Sequence, residues 1–232
     1  MTSISRLGGW AAATAAACYV FGFAVLIGAL NPGDTSAWSP SDKLAFVMQH
    51  QGWYQAWFIV TYQLCGIALV ALAWASHQRL QAIAPRWLAI ATAFALIWSG
   101  LVIASGMLGS FGLEATARLQ MRAPELALPV AATLGIVQEA LGGSIEVVGG
   151  IWTLLLSYAF LIAEHKRWLA IIGLPTGLAG LLTLLPPLRE LAALFGLGQI
   201  LWFSLLAWTL WRGDPAPVNT RNSSAETLPV QP

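Results

Sequence analysis

Five stretches of this chain run for 20 residues or more without a charged side chain, near 8–30, 53–76, 87–113, 168–188 and 191–211. A helix needs about 20 apolar residues to cross roughly 30 Å of hydrocarbon. The runs lack the period-two alternation of a barrel strand, and in lipid a helix satisfies its own backbone hydrogen bonds. A sixth run, near 129–163, is interrupted by Glu139 and Glu146. It has to cross as well if the charges on either side are to fall in order. The prediction is an all-α polytopic transmembrane bundle of six helices. Composition agrees, because only 9% of residues are charged, against about 25% in an ordinary soluble domain. A net charge of +1 gives no reason to expect nucleic acid as a partner.

Lysine and arginine set the orientation. With the N-terminus inside, the cytoplasmic segments hold Arg6, Arg79, Arg86, Lys166, Arg167, Arg212 and Arg221, and the outer segments hold Lys43, Arg118, Arg122 and Arg189. Seven against four obeys the positive-inside rule and places both termini in the cytoplasm. Tryptophans 10, 74, 87, 168 and 211 mark the inner boundary, and Trp53 and Trp57 the outer one. The uncharged run from Leu7 to Gly33, 27 residues long, exceeds the usual 7–15 residues of a signal h-region and is read as a retained span. Residues 1–212 then form one transmembrane domain, and 213–232 a disordered cytoplasmic tail rich in proline and serine.

Two outer connections carry short helices of their own. Ser39 is a helix cap with Pro40 in the first turn. Leu44, Val47 and Met48 form an apolar stripe that Gly52 ends, so this piece lies along the outer surface. From Glu114 to Ala123, Glu114 stands four residues before Arg118, and Pro124 closes the helix. The pentapeptides Arg86–Ile90 and Arg167–Ile171 are identical. They read as an interfacial anchor used twice rather than as a duplicated hairpin.

The fourth span breaks the pattern. From Pro129 to Ala163 it would be about 52 Å of helix, longer than the whole bilayer at roughly 40–45 Å. Either its first turns project outward or it bends, and the glycine pairs Gly142-Gly143 and Gly149-Gly150 offer a bend. On a continuous helix Glu139, Gly142, Glu146, Gly149 and Thr153 share one face. The four glycines suit close helix packing, and the same face presents an acid inside the membrane. A central carboxylate costs about 2.5–3.5 kcal/mol on insertion scales. Counting at 1.5 Å per residue places Glu146 about 25 Å from the inner boundary, with Gln63, Tyr62, Ser99, Gln199, Tyr19 and Ser105 at comparable depth. Two readings stand. Glu146, with Gln63, Tyr62, Ser99, Ser105 and Gln199, forms a polar site for a small molecule or ion; or a protonated Glu146 locks helices through one hydrogen bond to Gln63 or Gln199.

Other chemistry is thinner. His50, His77 and His165 fall in loops or at span ends, Cys18 and Cys65 read as apolar fillers of helix contacts, and Trp98, Trp152 and Trp202 as packing. Gly173, Gly177 and Gly180 with Pro175 mark a close-packing, kinked fifth span. No catalytic constellation, phosphate loop, metal site or cofactor motif is present, which leans against an enzyme.

The length, the outer surface helix after the first span, the glycine-rich fourth span, and the Pro-Arg-Trp-Leu and Lys-Arg-Trp-Leu motifs at 85–88 and 166–169 together resemble a bacterial family of six-span membrane proteins known only as a domain of unknown function. The likeness covers roughly residues 5–212. It implies a bacterial inner-membrane bundle and adds no activity. The expected function is binding or transport of a small molecule or ion around Glu146. The alternative is an accessory or regulatory subunit whose partner is another membrane protein or a second copy, and a membrane-embedded enzyme ranks last.

Overall fold

The computed structural model describes residues 3–82, 84–143, 146–162 and 166–212, and the regular elements among them are all helical. In chain order they are α1 (Ser3–Ile27), α2 (Pro40–Gln49), α3 (Gln51–Leu80), α4 (Pro85–Arg122), α5 (Pro124–Gln138), α6 (Val147–Ile162), α7 (Arg167–Leu182) and α8 (Leu191–Arg212). Helices α1, α3, α4 and α8, and the stretch Pro124–Ile162 that contains α5 and α6, are long and apolar enough to cross a membrane. The fifth expected span, 168–188, is shorter as a helix. α7 has 16 residues, about 24 Å, and ends because Leu185, the residue before Pro186, is extended at φ −86°, ψ 118°.

The bundle is apolar on the outside. Ile67, Phe111, Ile136, Ile171 and Leu184 are each more than 60% exposed, whereas α1 buries small residues: Gly8, Gly9, Ala11, Ala12, Ala15, Ala16 and Gly22. Soluble monomers do not expose apolar surface on this scale. The chain is therefore built as a multi-pass integral membrane protein, with small residues between helices and large ones toward lipid.

Backbones come close where side chains are absent. A Cβ on Gly150 of α6 would lie 2.6 Å from the Leu181 backbone nitrogen and 2.7 Å from the Gly177 carbonyl of α7. One on Gly8 of α1 would lie 2.6 Å from Ala75 of α3. Between these contacts Trp98, Trp152, Trp202, Phe195 and Phe203 interlock, with Trp152 and Trp202 edge to face at 5.5 Å. The deep tryptophans thus pack, as expected. At the end that carries the N-terminus, Trp10 of α1 meets Trp211 of α8 at 5.2 Å.

Several boundaries move. Glu114–Ala123 is not a separate short helix: α4 runs unbroken to Arg122, with the expected Glu114–Arg118 pair at 3.6 Å on its surface. Ala123 then leaves the helical region because Pro124 follows. Helix resumes at Pro124, five residues before the expected start, and carries Pro129 inside it. At α2 the cap is the expected one. Ser39 Oγ accepts from the Asp42 backbone at 3.2 Å, and the Asp42 carboxylate accepts from the Ser39 N–H at 2.9 Å and its hydroxyl at 2.7 Å. These bonds hold the Asp42 carboxyl below its ordinary pKa. α2 ends at His50 rather than at Gly52. The His50 backbone N–H and ring Nδ1 both turn back to the Phe46 carbonyl. Ser144, Ile145, Ala163, His165 and the tail 213–232 lie outside the described residues.

Candidate functional site

α5 does not run on into α6. The chain widens into a π turn over Glu139–Gly143, where Gly142 takes φ 118°, ψ 23°, a left-handed conformation that glycine adopts without a Cβ penalty. Glu146 caps the new helix. Its carbonyl accepts from the Gly150 N–H at 2.8 Å, and its own N–H donates to Thr183 Oγ1 at 2.9 Å. The fully buried Thr183 donates in turn to the Gly180 carbonyl at 2.7 Å. One threonine thereby ties the start of α6 to the end of α7.

The break overturns the expected common face of Glu139, Gly142, Glu146, Gly149 and Thr153, which required one uninterrupted helix. Gly149 and Thr153 keep their relation, since Thr153 Oγ1 donates to the Gly149 carbonyl at 2.8 Å. Glu139 is exposed on the other side of the break. The four glycines divide likewise. Gly149 makes room for the Trp98 ring and Gly150 for α7, while Gly142 has nothing within 4 Å of its Cβ position and serves as the hinge, not as a packing face. Gly143 closes the π turn.

The Glu146 side chain is half-buried and lies in electrostatic reach of Tyr19 on α1 and of Tyr62 and Cys65 on α3. Cys65 and Cys18 of α1 are both buried and lie within each other's electrostatic reach. Tyr62 reaches this place from a second π segment, Phe58–Leu64. Gly106 of α4 receives it, where a Cβ would come within 2.5 Å of the Tyr62 Cβ. Among the described residues no side chain forms an ion pair or hydrogen bond with the Glu146 carboxylate, and the hydroxyls of Tyr19 and Tyr62 have no hydrogen-bond partner either. Glu146 thus has two phenols and the Cys65 thiol, from α1 and α3, within its electrostatic reach. The N-terminal end of α6 carries about half a positive charge, which offsets part of the cost of a carboxylate there.

The remaining expected site residues do not converge. Gln63 donates to Ser110 Oγ at 3.1 Å, Ser105 donates to the Gln138 carbonyl at 3.3 Å, and Ser99 bonds the Ala95 carbonyl of its own helix at 2.7 Å. Gln199 donates to Thr153 Oγ1 at 2.7 Å. The expected lock between Glu146 and Gln63 or Gln199 is thus not made. Depth along the bilayer placed these side chains at one level, but their azimuth around each helix turns them elsewhere. What the sequence left out is Thr183; Cys18 and Cys65 lie at similar depth along their spans, could meet there, and read as packing. His77 bonds Thr92 Oγ1 at 2.9 Å. Among the described residues no three His, Cys, Asp or Glu side chains lie close enough to share a metal ion.

No family model, no curated protein and no solved structure matches this chain.

Proposed function

We propose that this is a six-span protein of the bacterial inner membrane with both termini in the cytoplasm, and that Glu146 forms an intramembrane site that binds or passes a proton, a small cation or the cationic group of a small molecule. The observation that carries the reading is a carboxylate at the break between α5 and α6 that pairs with no other described residue and has Tyr19 and Tyr62 within its electrostatic reach. Acids within spans face the bundle interior and mark ion or substrate pathways. Interrupted helices supply the ligand sites of many transporters. The seven-to-four lysine and arginine count supports the orientation. The apolar turns after Leu182 complete the fifth crossing in this reading.

The test uses the full chain in lipid nanodiscs, with tryptophan fluorescence read while sodium, potassium and pH are varied in turn. Trp98 lies against Gly149, three residues from Glu146, and serves as the reporter. A saturable response in the wild type that Glu146→Gln abolishes, with the thermal melt unchanged, supports the site. A wild type silent to all three, or a Glu146→Gln response equal to it, removes the reading. Reporter fusions at each terminus check the orientation separately. Opposite sides for the two ends would leave an odd number of crossings.

A further inference from the structure

At the end of the bundle opposite the Trp10–Trp211 contact, α2 packs on α3 and α5, and together with α4 they line an open cavity of about 430 Å³. This volume falls in the range, about 300–1,000 Å³, of sites that hold one small ligand. Its lining is apolar. Val47 and Met48 come from α2, Phe58 from α3, Leu113 from α4, and Leu134 and Gly135 from α5. Leu44, Val47 and Met48, the stripe expected to lie along the surface, instead form one wall. Among the described residues Lys43 is the one charged residue of the lining. It is exposed and, among the described residues, forms no ion pair.

A largely apolar cavity with one exposed lysine in its lining defines a ligand by complementarity. The interior takes a hydrocarbon chain, which loses water or lipid contact to no disadvantage, and the ammonium takes an anionic head. A neutral hydrocarbon would leave Lys43 unused, and a small hydrophilic anion would leave the chamber unfilled. We infer that this cavity binds a single-chain anionic amphiphile of the fatty-acid class, with its carboxylate at Lys43 and its chain running between α4 and α5 past Gly135. The Glu146 site is not involved, and the two stand or fall separately.

Gly135 supplies the test, because a Cβ built there meets nothing within 4 Å. Replacing this glycine within α5 also favours helix formation, so Gly135→Leu fills the chamber without displacing backbone. The probe is cis-parinaric acid, a fluorescent fatty acid, titrated into the full chain in zwitterionic nanodiscs and read by energy transfer from tryptophan. The expected result is saturable transfer in the wild type, at least tenfold weaker binding for Gly135→Leu, and a several-fold loss for Lys43→Gln. The methyl ester of the probe should bind wild type and Lys43→Gln equally. Transfer no greater than in nanodiscs without protein overturns the inference, as does unchanged binding by a folded Gly135→Leu. Should that variant fail to fold, the exposed Lys43→Gln still decides: equal affinity for the acid in both proteins overturns the head-group assignment. A two-chain anionic phospholipid that displaces the probe as well as oleate does would assign the chamber to bilayer lipid and overturn the single-chain ligand.

Discussion

Gly150 and Gly135 are the same residue in the same kind of helix, yet their surroundings are opposite. At Gly150 the backbone of α7 occupies the place of a side chain, at 2.6 Å from the Cβ position, whereas at Gly135 that place is open. The first belongs to a region where helices touch backbone to backbone around interlocked tryptophans. The second lines a chamber at the other end of the bundle. Glycine thus serves adhesion in one region and space in the other. In lipid, where apolar burial between helices gains little, close van der Waals contact is a main source of association. The packed region should then carry most of the stability, and the chamber little of it.

That contrast can be broken by four substitutions read by thermal or denaturant unfolding in detergent. Trp152→Ala, at a site 1% exposed between Trp98 and Trp202, should cost most, about 3–5 kcal/mol. A loss under 1 kcal/mol would mean that the aromatic cluster is not the adhesive. Gly150→Ala should cost about 1–3 kcal/mol, since the obstructing atoms belong to backbone and cannot rotate away. Gln199→Leu removes the buried bond to Thr153 and should cost about 0.6 kcal/mol, with an upper limit of about 1.7 kcal/mol. Gly135→Ala should be the mildest and of opposite sign, a gain of no more than about 1 kcal/mol. If it destabilised as much as Gly150→Ala, the distinction between the two glycines would disappear.

Much of the fold was legible in the sequence because lipid imposes a single rule, the length of an uncharged run. Helices α1, α3, α4 and α8 and the fourth crossing follow from it directly. The cap at Ser39 and the need for a bend in the fourth run were legible too, from local chemistry and from length. Helix ends were less so. Pro124 starts a helix as readily as it closes one, and His50 ends α2 by a side-chain bond to Phe46 that composition does not reveal. The site was legible in Glu146 and its two tyrosines, Tyr62 and Tyr19, and less so beyond them. Glu146 stands out as an acid in an apolar run, but depth is one coordinate of three. Gln63, Ser99, Ser105 and Gln199 share its level and point to other partners, while Thr183 meets its backbone N–H through the hairpin of α6 on α7. The chamber left no signal of its own, since a glycine facing open space and one facing a neighbour read alike.

The break of the fourth span is the point on which Glu146 depends, and a spin-label scan through residues 136–142 and 146–153 in nanodiscs tests it most directly. With accessibility to oxygen measured at each site, a hinge at Gly142 predicts two separate 3.6-residue oscillations whose phases do not join, with positions 139 and 146 differing in exposure. A single unbroken oscillation that places 139, 142, 146, 149 and 153 on one face would contradict it.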